Sequence, residues 1–498
     1  MNRKLSCIWP ALLALPALAQ PAAIPGDPQV ARYDGQMLVR VTIRELRDLM
    51  LLGQVAPETW SHTPGGVPAG SEGLGTLDYP MTQAELEVVR AAGMDAHVII
   101  EDLQRGIDEE NQRLAGRMAD RVDAAMLLEK VIAGREDVIV DTGGSREKRG
   151  WYDDYKTIEQ VRQMADALVE AYPHLARIET VGGSIEQREI YAIRLNAGGT
   201  PKPIIMLNSV QHAREWITVM TTMYIADQLL AGYGTEPSAT SILDRYEIVI
   251  IPVVNPDGYS YAWTRDRFWR KNRRLNSTGN YGVDTNRNWG TAWGLGSGSS
   301  GSTGSETYRG VAAFSEPETA AMRDWSNANP QIVFQLDVHS YGQYLLYPWG
   351  YTAAPAPAVN ALKHLSGGMR SAILNAGGVG YAPGQCYSIL YPVSGGCLDW
   401  YYADQGALTI SPELRGPGFN PSPTVILPTA REIYAAILWL GENFCRADID
   451  YTGFLDTDDF DAFVRAFESG STAADFDLSG FVDTDDFDAF VAAFERGC

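Results

Sequence analysis

The segment Gln36 to Ile43 alternates apolar and polar side chains closely enough to predict a strand, and Arg44 to Leu52 continues with a helical pattern. A second helix is predicted over Met81 to Ala92, opening at Thr82. A short apolar strand follows at Ala96 to Ile100, then a mostly helical stretch from Asp102 to Ile132. Two strand–helix units with an intervening helix make a small α+β domain with its own core. Further along, helices at Lys156 to Ala171 and Trp216 to Leu230 alternate with largely apolar strands at Ile204 to Leu207, Tyr246 to Ile251, Ile332 to Val338 and Ala407 to Ile410. The runs Ile204 to Leu207 and Tyr246 to Ile251 are of the kind buried on both faces. The alternation predicts an α/β domain with a mixed, largely parallel sheet flanked by helices.

Between the two regions, Gly, Ser and charged residues from Thr142 to Gly150 read as a linker. Arg146, Lys148 and Arg149 would be open there to a trypsin-like protease. The end of the chain is a repeat. The twelve residues from Asp448 to Asp459 match those from Asp475 to Asp486, and each set leads into Phe-Asp-Ala-Phe-Val and a short helix.

Composition and charge sharpen this division. An apolar content of 45% supplies a sizeable core, and 498 residues exceed one ordinary domain. The formal net charge is −22, which argues against nucleic acid as a partner, since phosphate binding needs basic clusters. Half of that charge lies from Arg446 to Cys498. At the other end, Arg3 and Lys4 precede an apolar run from Cys7 to Ala19, closed by Ala17-Leu18-Ala19. This predicts an export signal over residues 1–19 and a secreted product. The run is too short to span a bilayer, and no later stretch is a candidate. Cys386, Cys397, Cys445 and Cys498 would remain after export, an even set suggesting two disulfides. Four cysteines allow three pairings, of which Cys386–Cys397 with Cys445–Cys498 is the local choice.

The chemistry begins at His212 and Glu215, three residues apart, which in a helical turn converge on one ion. His339 directly follows the strand ending at Val338, and sites in open α/β sheets collect beyond the carboxyl ends of strands. Two imidazoles and a carboxylate suit Zn²⁺ with a position left for water. On its own, His-x-x-Glu is a weak signal, since such pairs are common on surfaces.

The surrounding text is more specific. His212-Ala-Arg-Glu-Trp-Ile-Thr218, Asn255-Pro-Asp-Gly-Tyr259, Phe268-Trp-Arg-Lys-Asn272, Val283-Asp-Thr-Asn-Arg-Asn-Trp289, Asp337-Val-His-Ser-Tyr341, Ser394-Gly-Gly-Cys-Leu-Asp-Trp400 and Pro412-Glu-Leu-Arg415 occur in order. Over residues 150–445 the chain thereby resembles the pancreatic-type zinc carboxypeptidases, and residues 20–149 resemble that family's activation domain and linker, notably at Val98 to Leu103. The resemblance implies that His212, Glu215 and His339 hold catalytic zinc. It implies that Glu413 is the general base for the attacking water and that Arg270 stabilises the oxyanion. Asn286, Arg287 and Tyr391 would bind the terminal carboxylate of a peptide or protein substrate, and Arg214 would guide it inward. A planar guanidinium grips a carboxylate through two parallel hydrogen bonds, which confines the reaction to chain ends. At the position that forms the base of the family's side-chain pocket stands Leu398, which is uncharged. An unpaired cation there would be costly, so hydrophobic or aromatic C-terminal residues are expected, with Leu390 and Val393 on the wall. A disulfide between Cys386 and Cys397 would brace the Tyr391 loop. A catalytically silent relative that only captures peptide C-termini would lack Glu413, Arg270 or a ligand, and all are present.

In residues 446–498 the repeat has the spacing of an EF-type calcium loop, with Gly453 and Gly480 at the sharp turn. Asp448, Asp450, Thr452, Asp456 and Asp459 form one ligand set, and Asp475, Asp477, Ser479, Asp483 and Asp486 the other. Two such loop–helix repeats resemble dockerin modules, which implies structural Ca²⁺ and docking to a cohesin-like receptor or surface scaffold.

Overall fold

The structure, a computed structural model, describes residues 30–56, 59–60, 75–119, 138–142, 145–199, 202–449, 455–471, 474–476, 479 and 481–496. The predicted export segment lies outside the described residues, as do Asp450, Thr452 and Asp477.

The N-terminal unit is an antiparallel sheet of β1 (Gln36–Thr42), β2 (Thr76–Thr82) and β3 (Ala96–Ile100), in the order β2-β1-β3. Strand β2 was not expected, because Asp78 and Pro80 break its apolar pattern. Asp78 is tolerated in its buried place because Arg40 grips both its oxygens, at 2.9 and 3.0 Å. Thr82 caps the helix Gln83–Ala91 as expected, and Glu85 returns a bond to the Thr82 amide at 2.7 Å. The stretch read as a linker is instead half of a hairpin, β4 (Val138–Thr142) against β5 (Ser145–Arg149).

The large unit is built on an eight-stranded sheet of β6 (Ala176–Gly183), β7 (Glu189–Leu195), β8 (Ile204–Ser209), β9 (Glu247–Ile251), β10 (Ile332–Ser340), β11 (Tyr344–Tyr347), β12 (Ala382–Gln385) and β13 (Leu408–Leu414). Their order is β12-β11-β13-β10-β8-β9-β7-β6. The central four, β13-β10-β8-β9, run parallel, and every residue in them is buried, the polar side chains of β10 and β13 included. Antiparallel pairs β6–β7, β7–β9 and β11–β13 make the sheet mixed. Helices Trp216–Gly232 and Ile426–Asn443 pack together on one face, and the first is apolar nearly all round because it is buried nearly all round.

The two units share a cluster in which Leu38, Trp60, Leu103 and Ile107 of the first pack on Phe268, Tyr341 and Phe419 of the second. Charges are sealed in the same contact. Arg267 donates to Glu110 at 2.6 Å with both buried, and the Tyr341 hydroxyl donates to Asp78 at 2.9 Å.

In the C-terminal unit the repeat helices Thr457–Glu468 and Thr484–Arg496 meet through Phe463 and Phe490, stacked 4.0 Å apart. Asp459 and Asp486 are fully buried and accept from the backbone N–H groups of Asp456 and Asp483, each at 2.9 Å. The repeat is therefore structural as well as textual.

The expected Cys386–Cys397 disulfide is not formed: both are buried free thiols. They belong to different packing clusters. Cys386 sits with Leu346 and Leu390, and Cys397 sits with Trp289 and Tyr401. Cys445 is disulfide-bonded, and Cys498 lies outside the described residues.

Candidate active site

Chain direction brings the residues together. Strand β8 ends at Ser209, and Val210 takes φ 55°, an uncommon value for a β-branched residue. Its carbonyl is pinned by the Asn255 amide at 3.0 Å. The chain therefore turns off the sheet and presents His212 and Glu215 in a short turn. The pair was expected within a helical turn. Glu215 instead precedes the helix Trp216–Gly232 as its N-cap, joined to His212 by a 3.3 Å backbone bond. On β10, His339 lies within the strand rather than just beyond it, and the parallel register sets it opposite Glu413 of β13.

His212, Glu215 and His339 are all buried, and their ligand atoms lie within 4.8 Å of one another. Both imidazoles turn Nδ1 toward Glu215, at 2.8 Å for His212 and 3.1 Å for His339. Their Nε2 atoms face Asp284 at 3.2 Å and Asp337 at 2.9 Å. A second-layer carboxylate on one ring nitrogen fixes the other as the metal donor. Burial alone would raise the Glu215 pKa, but His212 and His339 hold it well below the ordinary 4.5. A charged carboxylate between two imidazoles in a closed site is a donor set that suits zinc.

Glu413 is buried, and its Oε2 finds no hydrogen-bond partner among the described residues. Burial pushes its carboxyl well above the ordinary 4.5, an effect that His339 offsets in part. A buried acceptor without a donor, beside a metal-binding cluster, is suited to receive a proton from a bound reactant. Arg415, two residues on, pairs with Glu432.

Arg270 is buried and donates to Asp284. Arg287 is held by the carbonyls of Gly298 and Asn286, both at 2.8 Å. Its own carbonyl passes so close to Gly395 (φ +69°) that a Cβ there would lie 2.5 Å away. Asn286, Arg287, Tyr391, Leu398, Leu390 and Val393 all line one cavity, together with His212, His339 and Glu413. Its apolar wall is Leu346, Leu390, Val393 and Leu398, with the Cys386 thiol among them.

Like Arg270, Arg214 does not line this cavity. Its guanidinium lies 4.1 Å from the centroid of the Phe419 ring and 5.8 Å from that of Trp60, and it faces Glu306 at 3.7 Å. Trp60 comes from the N-terminal unit, so Arg214 is covered where guidance of a substrate would require exposure.

Asp284, Asp337, Asn208 and Gln211 were not singled out in the sequence. Asp337 carried a signal, because residues two apart on a strand share a face, and it stands two before His339. Asp284 precedes a single 3-10 turn, where no periodicity points to a partner.

Comparison with known proteins agrees with this geometry. The family model described as zinc carboxypeptidase matches residues 161–436. Carboxypeptidase A1 of Rattus norvegicus is 31% identical over 423 residues, covering 82% of this chain and 94% of the relative. Carboxypeptidase A1 of Bos taurus is 32% identical over 407 residues, covering 81% and 90%. The crystal structure of the carboxypeptidase A from Helicoverpa armigera superposes with a TM-score of 0.65 at 25% identity, covering 82% of this chain and 98% of that one. With a buried His-Glu-His cluster, an orphaned glutamate and an arginine-lined cavity in the matched region, the chain belongs to the zinc carboxypeptidase family and is a metallocarboxypeptidase that hydrolyses peptide bonds.

Proposed function

We propose that this chain is a secreted carboxypeptidase, made as a zymogen, that prefers hydrophobic or aromatic C-terminal residues. The observation that carries the reading is the single cavity in which an apolar wall ending at Leu398 adjoins Arg287, His339 and Glu413. His212, Glu215 and His339 hold the zinc, which when bound polarises the scissile carbonyl and acidifies a water. Arg287, Asn286 and Tyr391 receive the terminal carboxylate. The side chain of the last residue enters against Leu398 and its aliphatic neighbours, and the carboxylate of Asp399 in the same lining is committed to the Gly350 and Tyr351 amides, so a cation there would be poorly paired. Glu413 takes the proton of the attacking water and returns it to the leaving amine. Arg270 donates to the carbonyl oxygen as charge develops there.

The N-terminal unit acts as the inhibitory segment. Its Trp60 covers Arg214, and its Asp78 accepts from Tyr341, so it occupies the surface a longer peptide would cross. Cleavage near the hairpin of β4 and β5 releases it.

The test compares a blocked dipeptide ending in Phe with one ending in Arg, using trypsin-treated protein with and without a zinc chelator. Chelator-sensitive release of Phe is expected. Release of Arg instead would leave the enzyme and overturn the apolar pocket.

The C-terminal unit serves as a calcium-dependent docking module for a cohesin-like receptor or scaffold. Its support is the equivalence of the two repeats, each with a buried aspartate at the last loop position. Calcium titration of the full chain should raise the melting temperature of this unit; no change between chelator and millimolar calcium would remove it.

A further inference from the structure

We infer that Asp337 is a positioning residue that joins the metal site to the carboxylate clamp through His339 and Asn286. The inference rests on the proposed roles of those two residues. The orientation of the network is fixed from its far end. An indole nitrogen can only donate, and Trp289 Nε1 lies 3.1 Å from Gln211 Oε1. The Gln211 amide nitrogen must therefore face the other way, and it lies 2.7 Å from both oxygens of Asp337. Asn208 Nδ2 adds a further bond of 2.7 Å to Oδ1. Asn208 is itself the register partner of Asp337 across β8 and β10. A carboxylate so supplied with donors is fixed in place, and Asp337 is 1% exposed.

Its remaining capacity serves two groups at once. His339 Nε2 lies 2.9 Å from Asp337 Oδ2. When Nδ1 is the metal donor, Nε2 carries the hydrogen and donates to that oxygen. Asn286 Nδ2 lies 3.3 Å from the same oxygen and 2.9 Å from Nε2. The Asn286 amide is not free to flip, since its Oδ1 accepts from the Cys397 amide at 2.8 Å. Two N–H donors thus sit side by side, an arrangement that is repulsive unless a shared anion receives both. Asp337 is that anion. It commits one Asn286 hydrogen and leaves the second for the carboxylate of a substrate.

Two effects of Asp337→Asn follow and can be read separately. Zinc affinity of the full chain, measured by competition with a chromophoric chelator, should fall roughly 10–100-fold. In trypsin-activated protein saturated with zinc, KM for the blocked Phe dipeptide should rise more than kcat falls. In an Asn286→Ala background the KM effect of Asp337→Asn should vanish while the loss of zinc affinity persists. A merely structural role would lower both backgrounds alike. Asp337→Glu, which keeps the charge but moves it by one methylene, is the second variant and should shift the d–d absorption of the cobalt-substituted protein. Unchanged zinc affinity in folded Asp337→Asn, or an equal KM effect in both backgrounds, would overturn the inference. Wild-type protein that takes up no zinc would instead overturn the proposed function.

Discussion

Arg270 donates two hydrogen bonds, of 3.1 and 2.8 Å, to a single oxygen of Asp284, while the other oxygen of that carboxylate faces the zinc-ligand candidate His212. The guanidinium is thereby fixed in place before any substrate arrives, which is a condition under which a donor stabilises developing charge most. Arg270→Ala is expected to lower kcat about 10²–10³-fold, by the magnitude seen when one oxyanion donor is removed. Arg270→Lys should rescue little, since an ammonium cannot reproduce the paired contact to Asp284. Steady-state kinetics with zinc held saturating would check both, and near-wild-type kcat in Arg270→Ala would remove the arginine from the mechanism.

In its proposed role Glu413 can act as a base only when ionised, and burial moves its pKa upward from 4.5. Activity is therefore lost as pH falls through that raised value, not through the usual carboxylate range. Glu413→Gln should cost about 10²–10⁴-fold in kcat, the range for a general base, and leave zinc affinity unchanged. A kcat–pH profile of the wild type with an acidic limb near 4.5 would contradict the environment described for this residue.

Much of this was legible before any coordinates. The apolar runs of β8 and β9 read as doubly buried strands and β10 and β13 as further strands, and all four are central and parallel. His212, Glu215 and His339 could be linked because two are close in sequence and the third marks a strand end. The adjacency of His339 and Glu413 was not legible from spacing, because it is created by sheet register between strands distant in sequence. Strand β2 was hidden by Asp78, whose burial depends on Arg40 and Tyr341. The Cys386–Cys397 pairing failed for a related reason. Nearness in sequence said nothing of the two packing clusters that separate the thiols.

Leu398 is 6% exposed in a wall of aliphatic side chains. Leu398→Asp should reverse the proposed substrate preference, lowering kcat/KM for the Phe dipeptide and raising it for Arg. A buried carboxylate is costly alone and is relieved by a cationic side chain. Retention of the Phe preference in a folded variant would move the specificity determinant elsewhere on the wall, with Cys386 the next residue to replace.

The proposed inhibitory role of the N-terminal unit makes a separate demand on Arg267 and Glu110, which are buried against each other across the contact. Glu110→Gln leaves the arginine charge without its partner, a change that costs about 3–5 kcal/mol when both groups are buried. The cost falls on the closed form, because release of the N-terminal unit exposes Arg267 to water. The variant should therefore hydrolyse the Phe dipeptide before trypsin treatment, at a rate well above the intact wild type, and match it afterwards. Equal activity of the two intact chains would show that the pair contributes nothing to closure.

Glu318 offers a test of stability away from the reaction. It is fully buried, accepts from the Ile185 amide and from Asn272, each at 3.2 Å, and has Asp257 nearby. Burial pushes its carboxyl from 4.5 up to about 7. The folded chain then holds a proton that the unfolded chain releases, so the contribution to stability is complete below 4.5 and is lost as pH rises through about 7. A shift of this size corresponds to on the order of 3 kcal/mol. Glu318→Gln keeps the shape and removes the titration, so denaturant unfolding of zinc-saturated chain should lose that part of its pH dependence between pH 5 and pH 8. The variant should equal the wild type at the lower pH and exceed it at the higher. Parallel wild-type and variant curves across this window would mean that Glu318 remains ionised in the folded protein, held by donors stronger than the two amides that face it.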